Sequence, residues 1–426
     1  MPAPNKKKIL NDPVYGFITI PTELLYDLVE HPFFQRLRRI KQLGLSEYVY
    51  PGALHTRFHH ALGAMHLMGQ AMSTLQSKGH FITDAECEAA QIAILLHDVG
   101  HGPFSHVLEC CLLENVHHEQ VSLLLMHELN QQFNGRLTLA IRMFEGSYER
   151  PFFHQLISSQ LDMDRMDYLN RDGYYTGVAE GAIGAERIIK MLDLADDQLV
   201  VEAKGILSVE NFLNARRLMY WQVYLHKTSI CCESMLVQIL RRARFLIRQE
   251  GDLGGASAAG VYAPATFRLF LRESVTFDAF RSDRQYLNAF TELDDYDIWS
   301  CIKQWALQDD WVLSTLCRML LDRRLFKILL STEPFAGELL TELERQLRRT
   351  GLPDEALSYF LVEGQATNAA YLPSKERINI KLKSGKVIDI ADASDLSNVH
   401  VLTNIVRRYY VCWAKELESV GESASR

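Results

Sequence analysis

Apolar residues recur with helical spacing along most of this chain. Leu24, Leu25, Leu28 and Val29 share one face of a helix that starts near Pro21. Ahead of it, residues 11–16 (NDPVYG) read as a turn and residues 17–20 as a short strand. Residues 89–96 are almost wholly apolar and predict a buried helix, which Gly100, Gly102 and Pro103 bring to an end. The helical pattern dominates to about residue 250. Residues 251–264 (GDLGGASAAGVYAP) are small and Gly-rich with no periodic face, the mark of a loop or boundary. A mainly helical stretch then runs to about residue 350. Near the end, Ile378, Ile380 and Leu382 alternate with polar residues, Ser384 and Gly385 supply a two-residue turn, and residues 387–390 return, which predicts a hairpin. Residues 404–417 read as a closing helix and 421–426 as a frayed end. The expected fold is mainly α, with a core over residues 1–250 and a smaller α/β portion over 265–426 packed on it.

Composition narrows the class. The 426 residues are 48% hydrophobic, enough for a sizeable core. No apolar run approaches the roughly 20 residues of a membrane span, so no membrane partner is expected. The start, MPAPNKKKILNDP, lacks the apolar stretch of a signal peptide, and a cytoplasmic protein is expected. Eight cysteines include the neighbours Cys110-Cys111 and Cys231-Cys232 but no CxxC pair, so neither a zinc ribbon nor a disulfide framework is suggested. A net charge of -8 argues against nucleic acid as a partner, while a local basic pocket for a polyphosphate remains compatible with it.

The candidate chemistry is a set of imidazoles and carboxylates: His60, the adjacent pair His97-Asp98, and Asp164. Mixed nitrogen and oxygen ligands suit a divalent ion that must also bind water and phosphate oxygens. Neighbours on a helix point about 100° apart, so His97 and Asp98 reach one ion only if it lies between their directions, which a helix end permits. In HTRFHHALGAMH, Arg57 and His60 are three apart and share a helical face; one fits phosphate and the other a metal. His59 and His66 flank them and read as packed or surface residues. Glu109 follows His106 by three residues and could orient it as a proton donor, with His118 of the His117-His118-Glu119 cluster competing for that role. In LDMDRMDYLNRD, Asp164 and Tyr168 share a face, as do Tyr168 and Asp172, so the stripe can line one pocket. ARRLMYWQVYLHK is expected to carry Arg216, Arg217, Tyr220, Tyr224, His226 and Lys227 on one helix.

These motifs in this order, RFHHALG, HDVGHGPFSH, HHEQ, LDMDRMDYLNRD and YLHK, resemble the HD-domain deoxynucleoside triphosphate triphosphohydrolases. The resemblance is to the branch with the SAM- and HD-domain-containing dNTPase and bacterial dGTPase-like proteins, and it covers roughly residues 9–245. It implies a helical HD-domain core and one divalent metal (manganese, iron, zinc or magnesium) on His60, His97, Asp98 and Asp164. It places Arg57, His101, His118, Arg165, Tyr168, Arg216 and Lys227 around a triphosphate. Gln42 and Asp172 would bind the 3′-hydroxyl, Tyr224 would crowd a 2′-hydroxyl, and Leu43 would help hold the sugar. Gln35 and Arg38 match a region where some relatives bind an activating nucleotide, and Glu30 stands where guanine-selective relatives carry Asp. No SAM-type domain is expected ahead of the core, and a homo-oligomer, dimer or tetramer, is. The implied reaction yields a deoxynucleoside and tripolyphosphate, with His106 and Glu109 as first candidates for the proton donor and His118 as second. The same framework also serves other nucleotide phosphohydrolases and phosphodiesterases, and a nucleotide-binding regulator with little turnover is a third class.

Overall fold

The computed structural model describes residues 8–252, 260–368, 370–372, 376–395, 402–403 and 405–415; within these, the side chains of residues 105, 106, 110 and 250–252 lie outside the description. Strands β1 (Lys8–Asp12) and β2 (Gly16–Ile20) form an antiparallel hairpin. Its turn forms because Asp12 Oδ1 accepts the N–H groups of Val14 and Tyr15, both at 2.9 Å, and Gly16 takes a φ of +75°.

Helices α1 (Glu23–Glu30) and α2 (Pro32–Gln35) precede the long α3 (Arg57–Ser77) and α4 (Asp84–Leu96). The expected apolar face of α1 is buried at Leu24, Leu25, Leu28 and Val29. A capping box fixes the start of α4: Thr83 accepts from the Glu86 N–H, and the Glu86 carboxylate accepts from the Thr83 N–H at 2.8 Å. Next come α5 (Ser105–Cys111), the two-residue β3 (Leu113–Glu114), α6 (His118–Gln132), α7 (Thr138–Glu145), α8 (Phe152–Ile157), α9 (Met163–Thr176) and α10 (Ala185–Met191). The strands β4 (Leu192–Ala195) and β5 (Gln198–Glu202) interrupt the helices before α11 (Ile206–Met219) and α12 (Lys227–Asp252).

After α12 come α13 (Ala265–Arg272), β6 (Val275–Thr276), α14 (Phe277–Ser282), α15 (Arg284–Glu292), α16 (Asp295–Trp305), α17 (Trp311–Leu321), β7 (Lys327–Ser331), α18 (Gly337–Arg349), α19 (Leu357–Phe360), β8 (Leu361–Asn368), β9 (Asn379–Lys381), β10 (Val387–Asp389), α20 (Ile390–Ala393) and β11 (Val406–Trp413). The chain is therefore mainly α, with small sheets, as expected. The predicted hairpin is β9–β10, and β9 also pairs in parallel with β5, giving a sheet of order β10-β9-β5-β4.

Three expectations are corrected. Residues 192–202 are a hairpin within the stretch read as helical, turned by Asp196 and Asp197, whose φ of 51° and 55° suit a tight two-residue turn. Residues 406–413 are the central strand of a sheet β7-β11-β8, not a closing helix; residues 404 and 416–426 lie outside the described residues. The run VRRYYVCW is rich in β-branched and aromatic residues, and pairing on both edges outweighs its weak helical periodicity. The segment after α11 is not one helix: Tyr220–Tyr224 widens into a π-helical turn, and α12 restarts at Lys227.

Helix α3 is buried along nearly all its length and packs on α4 and α9. The approach to α9 depends on Gly63: a Cβ there would lie 2.0 Å from Asp167 Oδ1 and 2.2 Å from an Arg171 guanidinium nitrogen. Those atoms belong to a buried chain in which Arg171 bonds Asp12 at 2.7 Å and Asp167 at 3.0 Å. Surface pairs contribute about 0–1 kcal/mol, whereas removing one member of a buried pair typically costs about 3–5 kcal/mol, so the network cannot be displaced cheaply. Gly63→Ala is expected to destabilise the protein by roughly 1–3 kcal/mol, read as a lowered midpoint in urea unfolding.

The segment beyond α13 braces the core. Arg36, fully buried, donates to the carbonyls of Val99 and His101, both at 2.9 Å, and of Leu293 at 3.1 Å. Asp295 accepts the N–H of Lys41 at 2.9 Å and of Phe104 at 3.3 Å. Residues near 290 thus tie together two loops that face each other across a cavity.

Candidate active site

His97 follows the last residue of α4, where its Nδ1 donates to the Ile94 carbonyl at 2.6 Å. That bond leaves Nε2 with a lone pair aimed away from the helix. His60, on the second turn of α3, gives its Nδ1 hydrogen to Asp167 Oδ2 at 2.7 Å, which sets the same tautomer. The two Nε2 atoms are 3.4 Å apart. Asp164 Oδ1 stands 3.1 Å from His60 Nε2 and 3.4 Å from His97 Nε2, while Asp98 Oδ1 is 3.3 Å from His97 Nε2.

Three ligand atoms, on His60, His97 and Asp164, thus converge on one point, and Asp98 borders them while also standing beside His101 and His118. Ligands held about 2.0–2.2 Å from a single ion stand roughly 3.0–3.6 Å from one another, and these separations match. The donor set therefore fits a divalent cation. Burial disfavours charge on His60, but hydrogen bonds with Asp164 and Asp167 outweigh it and push the imidazole up to about 10. A metal must displace that proton. Metal binding at pH 7.5 is expected to release at least about one proton, measured as heats that vary with the ionisation enthalpy of the buffer; buffer-independent heats would contradict this.

The cluster opens on a cavity of about 380 Å³. One wall is the stripe on α9, with Asp164, Arg165, Tyr168 and Asp172. Asp162 caps this helix, accepting the Arg165 N–H and guanidinium, both at 2.7 Å. A second wall is Arg57 with His101 and His118: Arg57 bonds Asp98 Oδ2 at 2.6 Å, and the two rings stack with centroids 3.8 Å apart. Burial and the nearby Arg57 push the His101 imidazole well below its ordinary range, so it is neutral. Glu109 Oε1 meets His118 Nδ1 at 3.1 Å. The turn carrying Gly100 lies against the first turn of α6, where an added Cβ would sit 2.2 Å from the Ser122 nitrogen. Ser122 completes the junction by donating to the His97 carbonyl at 2.6 Å and accepting the Gly100 N–H at 2.9 Å.

The third wall is residues 41–46. The Gln42 N–H donates to the His55 carbonyl at 3.0 Å, and Gln42 Oε1 is buried with no partner among the described residues. Leu43 lies beside it. Asp172 Oδ2 accepts from the Tyr224 hydroxyl at 2.7 Å, and its Oδ1 is 2.6 Å from His55 Nε2.

Other candidates with described side chains stand outside the cavity lining. Arg216 is buried and donates to Gln160 Oε1 at 3.1 Å. Lys227 is exposed at the start of α12. His106 is on α5, with its side chain outside the described residues. Glu30 pairs with Lys8 at 3.1 Å on the surface; Gln35 accepts from Arg38 at 2.8 Å, and Arg38 covers the Phe58 ring at 3.6 Å. His59 bonds back to Thr56, and His66 contacts Gln70. Sequence reasoning singled out neither His55 nor the role of Asp167. Both lie inside quoted motifs, so their position was the available signal. Glu233, from α12, also lines the cavity and carried no motif.

The HD domain family matches residues 57–172, and the family described as the HD associated region matches residues 183–250. A solved phosphohydrolase from Bacteroides thetaiotaomicron is 50% identical and superposes with a TM-score of 0.90 over 96% of this chain and all of that one. The uncharacterized protein YwfO of Bacillus subtilis is 32% identical over 92% of this chain and 88% of its own length. The deoxynucleoside triphosphate triphosphohydrolase SAMHD1 homolog of Dictyostelium discoideum is 30% identical over 58% of this chain; the match spans about half of that relative, 51%.

Proposed function

This chain belongs to the HD-domain phosphohydrolase family, and on that premise we propose that it hydrolyses deoxynucleoside triphosphates to a deoxynucleoside and tripolyphosphate. One observation carries the reading: a single cavity joins the metal-binding cluster to cations at Arg57 and Arg165 and to the Asp172–Tyr224 pair. The triphosphohydrolase relative named above adds weight to it.

His60, His97, Asp98 and Asp164 would hold a divalent ion, which would supply Lewis acidity at the phosphate. Arg57 and Arg165 neutralise phosphate oxygens in a partly closed site, where charge-assisted bonds are strongest. As water attacks the α-phosphorus and gives up a proton, the bond to the 5′-oxygen breaks, and that strongly basic oxygen takes a proton from His118. Glu109, on the other ring nitrogen, holds His118 in the donating orientation. Among the described side chains, His118 has both a carboxylate behind its ring and the cavity in front. Asp172 receives the sugar's 3′-hydroxyl, and the Tyr224 ring crowds the position of a 2′-hydroxyl.

Arg38, bonded to Gln35, covers the Phe58 ring in the first turn of α3, and an activating nucleotide bound by Glu30, Gln35 and Arg38 would act on the site through that helix. Chromatography of the products from each dNTP and rNTP tests the reading. Tripolyphosphate from dNTPs but not rNTPs is expected; pyrophosphate or orthophosphate would place the reaction among the other HD-type phosphohydrolases.

A further inference from the structure

We infer that Glu233 reads the base of the substrate and selects guanine, an inference that rests on the deoxynucleoside triphosphate reading. Glu233 lies on α12 one turn after Ser229, whose hydroxyl meets that of Ser46 at 3.3 Å. That face of α12 therefore points at the 41–46 wall. Glu233 lines the same cavity as Leu45, Phe104 and Val107.

Among the described residues, none supplies this carboxylate with a hydrogen bond or a cation. Burial alone pushes its carboxyl up to about 7. Its neighbours in the cavity are committed elsewhere: Lys41 to Glu47 at 2.5 Å, Arg57 to Asp98, Arg165 to Asp162. A desolvated carboxylate without donors is costly, and a ligand that brings donors removes the cost.

The ligand part that meets it follows by elimination. Phosphates are repelled by a carboxylate, and the sugar edge is taken by Asp172 and Tyr224, which leaves the base. A ligand that offers two N–H donors favours the ionised carboxylate, which only accepts hydrogen bonds. Guanine presents N1–H and the 2-amino group side by side, two donors for two oxygens. Adenine and cytosine each set an acceptor ring nitrogen beside their amino group. Thymine is the worst match, since its single N3–H is flanked by two carbonyl oxygens.

The test compares kcat/KM for dGTP and dTTP in the wild type and in Glu233→Gln. The amide removes one acceptor from guanine and offers thymine a donor. The wild type should prefer dGTP, and in the variant the dGTP to dTTP ratio should fall by at least about tenfold. An unchanged ratio, or a wild type without preference for dGTP, overturns the inference. If no dNTP is hydrolysed, the functional reading itself fails, and calorimetry with deoxyguanosine and thymidine still decides the role of Glu233. Weaker deoxyguanosine binding in the variant supports it; equal binding in both proteins overturns it.

Discussion

Replacing His97 and Asp98 together with alanine is expected to remove the metal and to lower turnover by roughly a thousandfold or more. His97 Nε2 stands 3.4 Å from Asp164 Oδ1, and Asp98 lies 3.3 Å from His97 Nε2 and 3.7 Å from His60 Nε2, so the double variant removes two of the four proposed ligands. It also frees Arg57 from Asp98, leaving a cation where an ion should bind. Metal content by elemental analysis and kcat should fall together, while the thermal midpoint separates this from misfolding. Asp167→Asn gives the graded counterpart. It touches no substrate, but it holds His60 Nδ1, and loss of such a supporting bond typically weakens metal affinity about 10- to 100-fold. A His97/Asp98 variant with full activity would sink the assignment.

The second large effect is expected at His118. Changing it to alanine should lower kcat by about 10²- to 10⁴-fold with the metal content retained, because His118 is not among the four proposed ligands. The defect should shrink for a substrate whose leaving group is p-nitrophenolate, which departs without a proton. Glu109→Gln should fall in the same direction by less, since it changes the orienting partner at 3.1 Å and not the donor. Loss of metal in step with activity would make His118 a ligand, a role its place beside Asp98 and His101 makes worth testing directly.

Much of this was legible in the sequence, and the exceptions have physical causes. Helix α1 and the C-terminal hairpin announced themselves by periodicity, and α4 by its long apolar run. Strand β11 did not, because VRRYYVCW owes its conformation to the strands on both sides, partners 38 to 52 residues away in sequence for β8 and further for β7. The hairpin at residues 192–202 had a local signal in Asp196-Asp197, overridden by the helical pattern around it. The π-turn at Tyr220–Tyr224 breaks a helix whose residues all tolerate helix, so composition gives no warning.

The site divides in the same way. The four proposed ligands come from three motifs and could be read in order. The sequence could not reveal that Glu109 stands on His118, that His55 holds Asp172, or that Glu233 reaches the cavity from α12, since each contact is made by folding. Lys227 and Arg216 show the converse. Cations in the right motif need not line the cavity: Arg216 bonds Gln160, and Lys227 is exposed.

Hydrolysis of a dNTP in water enriched in oxygen-18 tests the central claim most directly. Attack at the α-phosphorus with departure of the 5′-oxygen places one labelled oxygen in tripolyphosphate and none in the deoxynucleoside. Label in the deoxynucleoside, or label divided between a deoxynucleoside monophosphate and pyrophosphate, would contradict the account.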